Sequence, residues 1–540
     1  MAGSRGGRRE ARNFTGSAPD YPSGWALRHR CDRTHPLSYG NSPTGNDPGY
    51  SDRMSMSITE LHGESTPEPR TPAAAPDPSA RRTPAWAALL LRLHFYAGVL
   101  VAPFLLVAAL TGLAYTVSPQ LDRVLYGDLL TAAPGGPAKP LAEQVAAARA
   151  AHPDGAIASV QPGTDGHTTR VEFAQPDLGD RQHTVYVDPH TGRVEGQLTT
   201  WFDSTPVTTW LDDLHRNLHL GDLGRHYSEI AASWLWVLVL GGIILWWRRR
   251  GATRTRTRHL LVPDLSARRG VRRTRAWHAT TGVWLAVGLL FLSATGLTWS
   301  RYAGGNFDTA LDALRAGTPE ISTSLTGAPP PGGGEHQHGG ASATAADPAT
   351  FDRVLAAATD AGLTGPMRIT PAEEPGSAWT VAQTDNTWPV ARDRIAVDPV
   401  AGTVTARSDF ADWPLLAQLS SLGVQAHMGL LFGPVNQVLL AALALGLLCV
   451  IVWGYRMWWQ RRPTRTARRA VVGTAPVRGG LRGLPVWALL PALVVTVAVG
   501  WALPWFGGPL LAFVVIDVGL GALARRRRRD VPVSPAPAGT

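Results

Sequence analysis

The chain has 540 residues and a formal net charge of +10 at pH 7, with a mean hydropathy of −0.04. This average conceals apolar runs of about 20 residues, the length that spans a bilayer core, between polar tracts rich in Pro and Gly. The two cysteines, Cys31 and Cys449, exclude a disulfide framework or a thiolate metal site in the long polar segments.

The pattern predicts a polytopic α-helical membrane protein with about six transmembrane helices and two extracytoplasmic α+β domains. In chain order, the N-terminal half is predicted to contain a disordered cytoplasmic tail (1–84), a span (85–117), an α+β domain (118–227), a span (228–247) and a basic loop (248–277). The remainder is predicted to contain a span (278–299), a second α+β domain (300–426) with a disordered linker (327–347), a span (427–459), a basic loop (460–483), a hairpin of two spans (484–524) and a cytoplasmic tail (525–540).

The distribution of charge predicts the topology and argues against nucleic-acid binding. Residues 248–277 hold 11 Arg and one acid, and residues 460–482 hold seven Arg and no acid. Both long segments lean acidic, with 8 Lys/Arg against 14 Asp/Glu in 118–227 and 7 against 14 in 300–426. Short basic loops mark the cytoplasmic side of a membrane. We therefore expect both termini on the cytoplasmic side of a bacterial cell membrane. The same loops are expected to attract anionic lipid.

Each long segment carries a small α+β pattern. In the first, residues 142–153 predict a helix, and residues 168–176 and 182–196 predict strands with a turn. In the second, residues 351–363 predict the helix, and residues 377–385 and 393–406 predict the strands. We expect a cleft between two such domains to be the default site for an electron acceptor.

An internal parallel repeat relates the two halves. The offsets from His94 to Gly98 and to Thr111-Gly112-Leu113 recur from His278 to Gly282 and to Thr295-Gly296-Leu297. The outer segments share "VDPHTGRV" (187–194) and "VDPVAGTV" (397–404). With a small gap, His219-Leu-Gly221 matches His427-Met-Gly429. Two halves that enter from the same side predict a pseudo-twofold axis along the membrane normal.

The repeat would bring equivalent histidines together across that axis. His94 and His278 are expected at the cytoplasmic end of their spans, and His219 and His427 at the outer end. Two imidazoles that face each other in a helical bundle can hold a haem iron from both sides, and Gly98 and Gly282 would leave room for the macrocycle. A proton relay and a bound transition-metal ion are the competing interpretations.

The stretch "LHRNLHLGDLGRHY" (214–227) holds further candidates. His215 is an alternative ligand or a supporting group, and His226 has the same two possible roles. Arg216 and Arg225 could bind haem propionates, although interfacial snorkelling explains them as well. Glu335, His336 and His338 are more typical of a flexible linker than of a metal site. The chain shows no flavin- or nicotinamide-binding motif, and no catalytic residue is identified.

In combination, "LHRNLHLGDLGRHYSEIAASWLWVLVLGGIILWW", "WHATTGVW…ATGLTWS" and the two "VDPxxGxV" segments resemble the PepSY-associated transmembrane family, over about residues 86–462. The family includes iron-regulated membrane proteins and di-haem reductases of ferric siderophores. The resemblance implies two b-type haems, with His94, His278, His219 and His427 as ligands, and electron transfer to an extracytoplasmic ferric chelate. The electron donor could be a cytosolic reductase or a membrane quinol.

Two departures from the family pattern bear on these expectations. The terminal hairpin lies outside the repeat, and the second half lacks a counterpart of "LHRN", so the choice between His215 and His219 stays open. The alternative function is a membrane-anchored PepSY module that binds peptides or modulates an extracellular protease.

Overall fold

The computed structural model describes residues 84–164, 166–252, 262–263, 269–325, 347–461 and 486–529. The predicted disorder of residues 1–83 and of the linker with Glu335, His336 and His338 therefore lies outside the described residues. So do Cys31, most of both basic loops and residues 530–540.

The described chain alternates helical membrane segments with a mixed helix and strand region. The helices are α1 (Ala85–Leu100), α2 (Ala102–Tyr115), α3 (Ser118–Leu130), α4 (Leu141–Ala151), α5 (Pro206–Asn217), α6 (Gly221–Ala252), α7 (Val271–Thr298), α8 (Tyr302–Ala313), α9 (Pro348–Asp360), α10 (Leu415–Met428), α11 (Gly433–Gln460), α12 (Val486–Ala502) and α13 (Pro504–Arg529). The strands are β1 (Ala156–Gln161), β2 (Thr169–Ala174), β3 (Gln182–Val187), β4 (Val194–Thr200), β5 (Met367–Thr370), β6 (Trp379–Gln383), β7 (Arg394–Val397) and β8 (Val404–Ser408).

Several helices are long and apolar enough to cross a membrane, so the protein is a multi-pass membrane protein. The described residues contain five such stretches, at Ala102–Leu130, Gly221–Arg249, Val271–Thr298, Gly433–Gln460 and Pro504–Leu523. Two shorter apolar helices cover Trp86–Leu100 and Leu490–Ala502. A break at Val101 separates α1 from α2. Pro103, which cannot donate a backbone hydrogen bond, follows this break directly.

Four membrane helices form a closed ring. In order around the ring, α2, α6, α7 and α11 each pack against the next, and α11 packs against α2. Their buried contact surface is apolar and includes Leu105, Trp234, Leu289 and Leu447. The ring therefore has an interior, and side chains that point into it are shielded from lipid.

The terminal hairpin of α12 and α13 docks on the first half of the ring. The indole of Trp234 in α6 donates to the carbonyl of Trp505, 3.0 Å away. Arg92 of α1 forms an ion pair of 2.5 Å with Asp517 of α13, and their side chains are 4% and 10% exposed. The hairpin is thus held to α1 and α6 by polar as well as apolar contacts.

The eight strands form one antiparallel sheet in the order β4-β3-β2-β1-β5-β6-β7-β8. Its two halves join where Val160 of β1 pairs with Ile369 of β5. The expectation of a cleft between two outer domains is therefore wrong, because backbone pairing and a shared core close the boundary. The sequence patterns had indicated β2 to β4 and β6 to β8, but not the joining strands β1 and β5.

Helices α4 and α9 cover one face of the sheet. Both helices bury apolar side chains against the strands, with Val145 and Phe351 fully buried beside Val160 and Ile369. Asp352 of α9 accepts hydrogen bonds from the first backbone amides of α4, at 2.7 and 3.2 Å, which satisfies donors that a helix start leaves unpaired. One continuous core thus serves both halves of the sheet.

Candidate functional site

Four histidines form two facing pairs inside the ring. The sheet-proximal pair is His215 of α5 and His427 of α10, whose ring centroids are 6.5 Å apart with an interplanar angle of 44°. The sheet-distal pair is His94 of α1 and His278 of α7, whose centroids are 6.4 Å apart at 81°. Each pair takes one imidazole from each half of the chain.

His219 does not face His427, which corrects the pairing expected from the sequence. Helix α5 ends at Asn217, and Leu218 and His219 both adopt left-handed backbone conformations, with φ of 55° and 56°. His219 is exposed, and its ring packs against Trp210 at 4.9 Å. The chain thus turns away after His215, which leaves the earlier histidine in the ring.

Matching threonines hold the sheet-proximal pair. Thr111 Oγ1 lies 2.9 Å from His215 Nδ1, and Thr295 Oγ1 lies 2.6 Å from His427 Nδ1. The Thr111 hydroxyl donates to the carbonyl of Val107, and the Thr295 hydroxyl donates to that of Phe291, both at 2.9 Å.

This network assigns the imidazole tautomer. Because each hydroxyl proton goes to a carbonyl of its own helix, the threonine oxygen accepts from Nδ1–H of the histidine. Nε2 then carries the free lone pair on both His215 and His427. A metal-binding histidine shows the same arrangement, with its second ring nitrogen donating to a fixed acceptor.

The sheet-distal pair is held by backbone. His278 Nδ1 lies 3.0 Å from the carbonyl of Val450, so Nδ1 donates and Nε2 is again free. His94 Nδ1 faces α6 at Gly241 and makes no hydrogen bond of normal geometry among the described residues, although the carbonyl of Leu238 is close enough to interact with it. A Cβ at Gly242 would lie 3.3 Å from His94 Cε1, so a side chain there would press on the ring.

A cavity with an empty volume of about 1420 Å³, including its opening to solvent, surrounds the sheet-proximal pair. Most of its wall is apolar, with side chains such as Leu105, Leu289 and Leu443. His215 and His427 stand on its wall, and Arg216 and Arg225 also line it. The cavity therefore presents both imidazoles within a largely apolar wall.

The two arginines differ in their other partners. Arg216 forms ion pairs with Asp212 and Asp213, at 3.4 and 3.0 Å, and its guanidinium lies 4.6 Å from the ring of Trp201. Arg225 donates to the carbonyl of Trp299 at 3.1 Å. Both remain positioned to meet an anionic group at the edge of the cavity.

His226 contacts the hairpin. Its Nδ1 accepts from the indole of Trp505 at 3.2 Å, and its ring stacks on Tyr302 at 6.0 Å. His226 thus supports the docking of α13.

The imidazoles of the sheet-proximal pair are neutral over the physiological range. Burial lowers the pKa of His215 to about 4. Burial, and then the charge of His215, lower the pKa of His427 to about 4. A neutral imidazole keeps the lone pair that a metal requires.

Each pair would suit a metal centre such as a haem iron, which its two imidazoles could hold from two sides. Two imidazoles that bind one metal from opposite sides through bonds of about 2.0–2.1 Å place their centroids roughly 6–6.5 Å apart. The observed separations of 6.5 and 6.4 Å agree with this value. A Cβ at Gly282 would meet nothing within 4 Å, and one at Gly98 only Leu238 at 4.0 Å, so both glycines border open space. No cluster of three or more His, Cys, Asp or Glu side chains suited to a metal ion occurs among the described residues.

These features define a class: a polytopic helical membrane protein with a sheet domain and paired histidines in its bundle. The family model for the PepSY-associated TM region matches residues 91–461, and the chain belongs to this family. No curated protein matches the chain.

Proposed function

We propose that the protein is a di-haem b electron-transfer protein that reduces ferric chelates, of the siderophore type, on the extracytoplasmic side for iron uptake. The observation that carries this proposal is the pair of matched histidine couples, at separations that suit axial ligation. His215 and His427 would hold one haem, and His94 and His278 the other. In this scheme His219 is not a ligand.

The topology follows from the same scheme. We take α1–α2, α6, α7 and α11 as four spans and α12 and α13 as two more, which keeps both termini on one side. The two halves form a parallel repeat about an axis along the membrane normal. The arginines at the end of α6 and the start of α7 support a cytoplasmic position for the sheet-distal pair.

Haem bound at the two pairs would supply one-electron carriers at two depths of the membrane. The protein's own residues orient and insulate these carriers. The threonines and the carbonyl of Val450 fix the ring orientation and the protonated nitrogen of three of the four imidazoles. The apolar wall of the cavity limits water, and Arg216 and Arg225 are suited to bind propionates at its edge. An apolar surrounding that limits access of water to a bound haem would also tune the redox potential of that haem.

The first test is the colour of the purified protein. Protein from haem-replete cells should show a b-type spectrum that changes on reduction with dithionite, with two haems per chain by pyridine haemochrome assay. A colourless preparation would reject the proposal and favour the peptide-binding alternative.

A second test concerns the acceptor. Dithionite-reduced protein, freed of excess reductant under anaerobic conditions, should be reoxidised by a ferric chelate, and a ferrous-specific chelator should detect one Fe²⁺ for each electron lost. The corresponding gallium chelate cannot accept the electron and should leave the protein reduced. Reoxidation by neither chelate would reject the reductase activity while leaving haem binding intact.

A further inference from the structure

A row of mostly polar side chains, interrupted by one alanine, crosses the face of the sheet that α4 and α9 leave uncovered. In the first half, Tyr186 pairs with Arg170, and Arg170 pairs with Gln161. In the second half, Arg368 pairs with Ala382, which pairs with Arg394. Because Val160 and Ile369 pair on the helix-covered face, the adjacent Gln161 and Arg368 meet on the opposite face. We call these residues the arginine row.

The two halves of this face are covered differently. In the first half, α3 packs against β4, and a Cβ at Gly196 would lie 2.6 Å from Leu129 of α3. Tyr186 is 1% exposed there. In the second half, α8 packs against α7 and α12 instead, and Asn306 of α8 donates to the carbonyl of Ala502 at 3.0 Å. Arg368, by contrast, retains a side chain that is 28% exposed.

Positive charge in the second half exceeds what nearby carboxylates neutralise. Arg368 forms an ion pair with Asp203, which also accepts from Gln161. Arg394 lies 4.7 Å from the ring of Trp413, and forms no ion pair among the described residues.

Arg392 adds a third cation to this end of the face. It donates to Asn386, and its Nε is buried without a partner in the described part of the chain, as is the Nε of Arg368. Burial lowers the pKa of Arg394, and burial followed by the charge of Arg394 lowers that of Arg392. Guanidinium donors that lack partners favour a carboxylate or phosphate group.

We propose that the open half of the arginine row, Arg368, Arg392 and Arg394 around Ala382, binds a polycarboxylate metal chelate; this assignment deepens the proposed reductase function and rests on it. Ala382 separates the two strand arginines in the register of β5, β6 and β7, so its small side chain lies between their guanidinium groups. Three guanidinium groups, of which one is already paired with Asp203, match the negative charge of carboxylate ligands around a trivalent metal.

The site is connected to the membrane bundle. The backbone amide of Trp388, in the loop that leads to Arg392, donates to the carbonyl of Leu431 at 2.8 Å. Leu431 is four residues beyond His427 and lies between α10 and α11. Trp413, which packs on Arg394, lies two residues before Leu415, the first residue of α10. A ligand on the row is thus held by the elements that also position the sheet-proximal pair.

The test uses gallium citrate, which carries the charge and shape of a ferric chelate but accepts no electron. Isothermal titration of the full-length protein in detergent should show saturable binding at low ionic strength. Arg394→Gln and Ala382→Glu should each weaken binding about tenfold or more. The first substitution removes a positive charge, and the second places a negative charge between the two strand arginines, where it repels the anionic chelate. Arg193→Gln is the matched control, because Arg193 lies in the first half of the sheet domain and is paired with Glu195 at 2.9 Å; it should bind within twofold of the unmodified protein.

The outcomes separate this site from the proposed function. Absence of saturable binding, or equal binding by the unmodified, R394Q and A382E proteins, overturns the site even if the haem spectrum is normal. Equally tight binding of inorganic phosphate overturns the assignment to a polycarboxylate chelate. Gallium citrate binding that depends on Arg394 in a protein without haem supports the site while rejecting electron transfer.

Discussion

Thr111 Oγ1 and His215 Nδ1 lie 2.9 Å apart although 104 positions separate these residues in the chain. The same contact joins Thr295 and His427 at 2.6 Å. In both cases a membrane helix supplies the threonine, and the helix after the strands supplies the histidine. The orientation of each imidazole therefore depends on the docking of the sheet domain onto the bundle.

Removing the threonine hydroxyl should weaken haem binding without removing a ligand. Thr111→Val retains the shape of the side chain but leaves His215 Nδ1–H without an acceptor. We expect a loss of about 10- to 100-fold in haem affinity at that site, the usual effect of losing such a partner, together with a shift in its midpoint potential. Thr298→Val is the control, because the Thr298 hydroxyl donates to the carbonyl of Thr295 in its own helix and contacts no histidine among the described residues. Equal effects of the two substitutions would contradict the assignment.

Alanine substitutions should separate the two neighbouring histidines. If the proposed ligand set is right, His215→Ala should lower the haem content from two per chain to one, because it removes one of the four proposed ligands. His219→Ala should retain both haems, since its ring contacts Trp210 outside the cavity. Pyridine haemochrome assays and low-temperature spectra measure both results. Retention of two haems by H215A and loss of one by H219A would restore the pairing predicted from the sequence.

A methyl group at Gly112 should disturb the sheet-proximal site. Its Cβ would lie 3.0 Å from His215 Cε1, closer than ordinary contacts, so Gly112→Ala should displace the ring and broaden or shift the spectrum of that haem. Gly296→Ala, at the equivalent position, would meet His427 Cε1 only at 3.9 Å and should have a smaller effect. The comparison uses the same substitution on two helices, and equal spectra for both variants would argue against the steric explanation.

The sequence predicted the sheet-distal pair because the offsets within α1–α2 and α7 are identical and need no gap. At the other pair it left the choice between His215 and His219 open and favoured His219, because matching "HLG" to "HMG" compares residue types rather than positions on a helix. His215 lies inside α5, four residues after the buried Leu211 and therefore on the same helix face. His219 lies beyond the end of α5, in a left-handed turn that no sequence motif predicts. The recurring Thr-Gly dipeptides were visible in the sequence, but their contacts with His215 and His427 depend on tertiary packing.

The joining of the sheet halves was also beyond the sequence patterns. β5 has only four residues, and β1 contains a bulge between Ile157 and Ser159, so neither shows sustained alternation. Their pairing has a structural consequence. It places Arg368 in register with Gln161 and so extends one row of polar side chains over both halves.

The free energy of unfolding of the haem-free protein should decrease as the pH is lowered from 6.5 to 4. In the unfolded chain the imidazoles bind protons near their usual pKa of 6.5, but in the folded chain burial holds His215 and His427 near 4. The unfolded state therefore binds more protons in this window, so the free energy of unfolding decreases as the pH falls. Thermal unfolding of the haem-free protein at pH 7 and pH 5 measures the effect, and H215Q/H427Q should show a smaller decrease. An identical decrease in both proteins would contradict the low pKa values.

The terminal hairpin should depend on the ion pair between Arg92 and Asp517. Both side chains are almost fully buried, and two guanidinium nitrogens of Arg92 have no other partner among the described residues. Asp517→Asn leaves Arg92 buried and uncompensated, which should destabilise the folded protein by about 3–5 kcal/mol. Arg92→Met combined with Asp517→Leu removes both charges and should recover most of that loss. Thermal unfolding in detergent measures the difference between the variants. The double variant should also retain both haems, because His94 faces α6 whereas Arg92 pairs with α13.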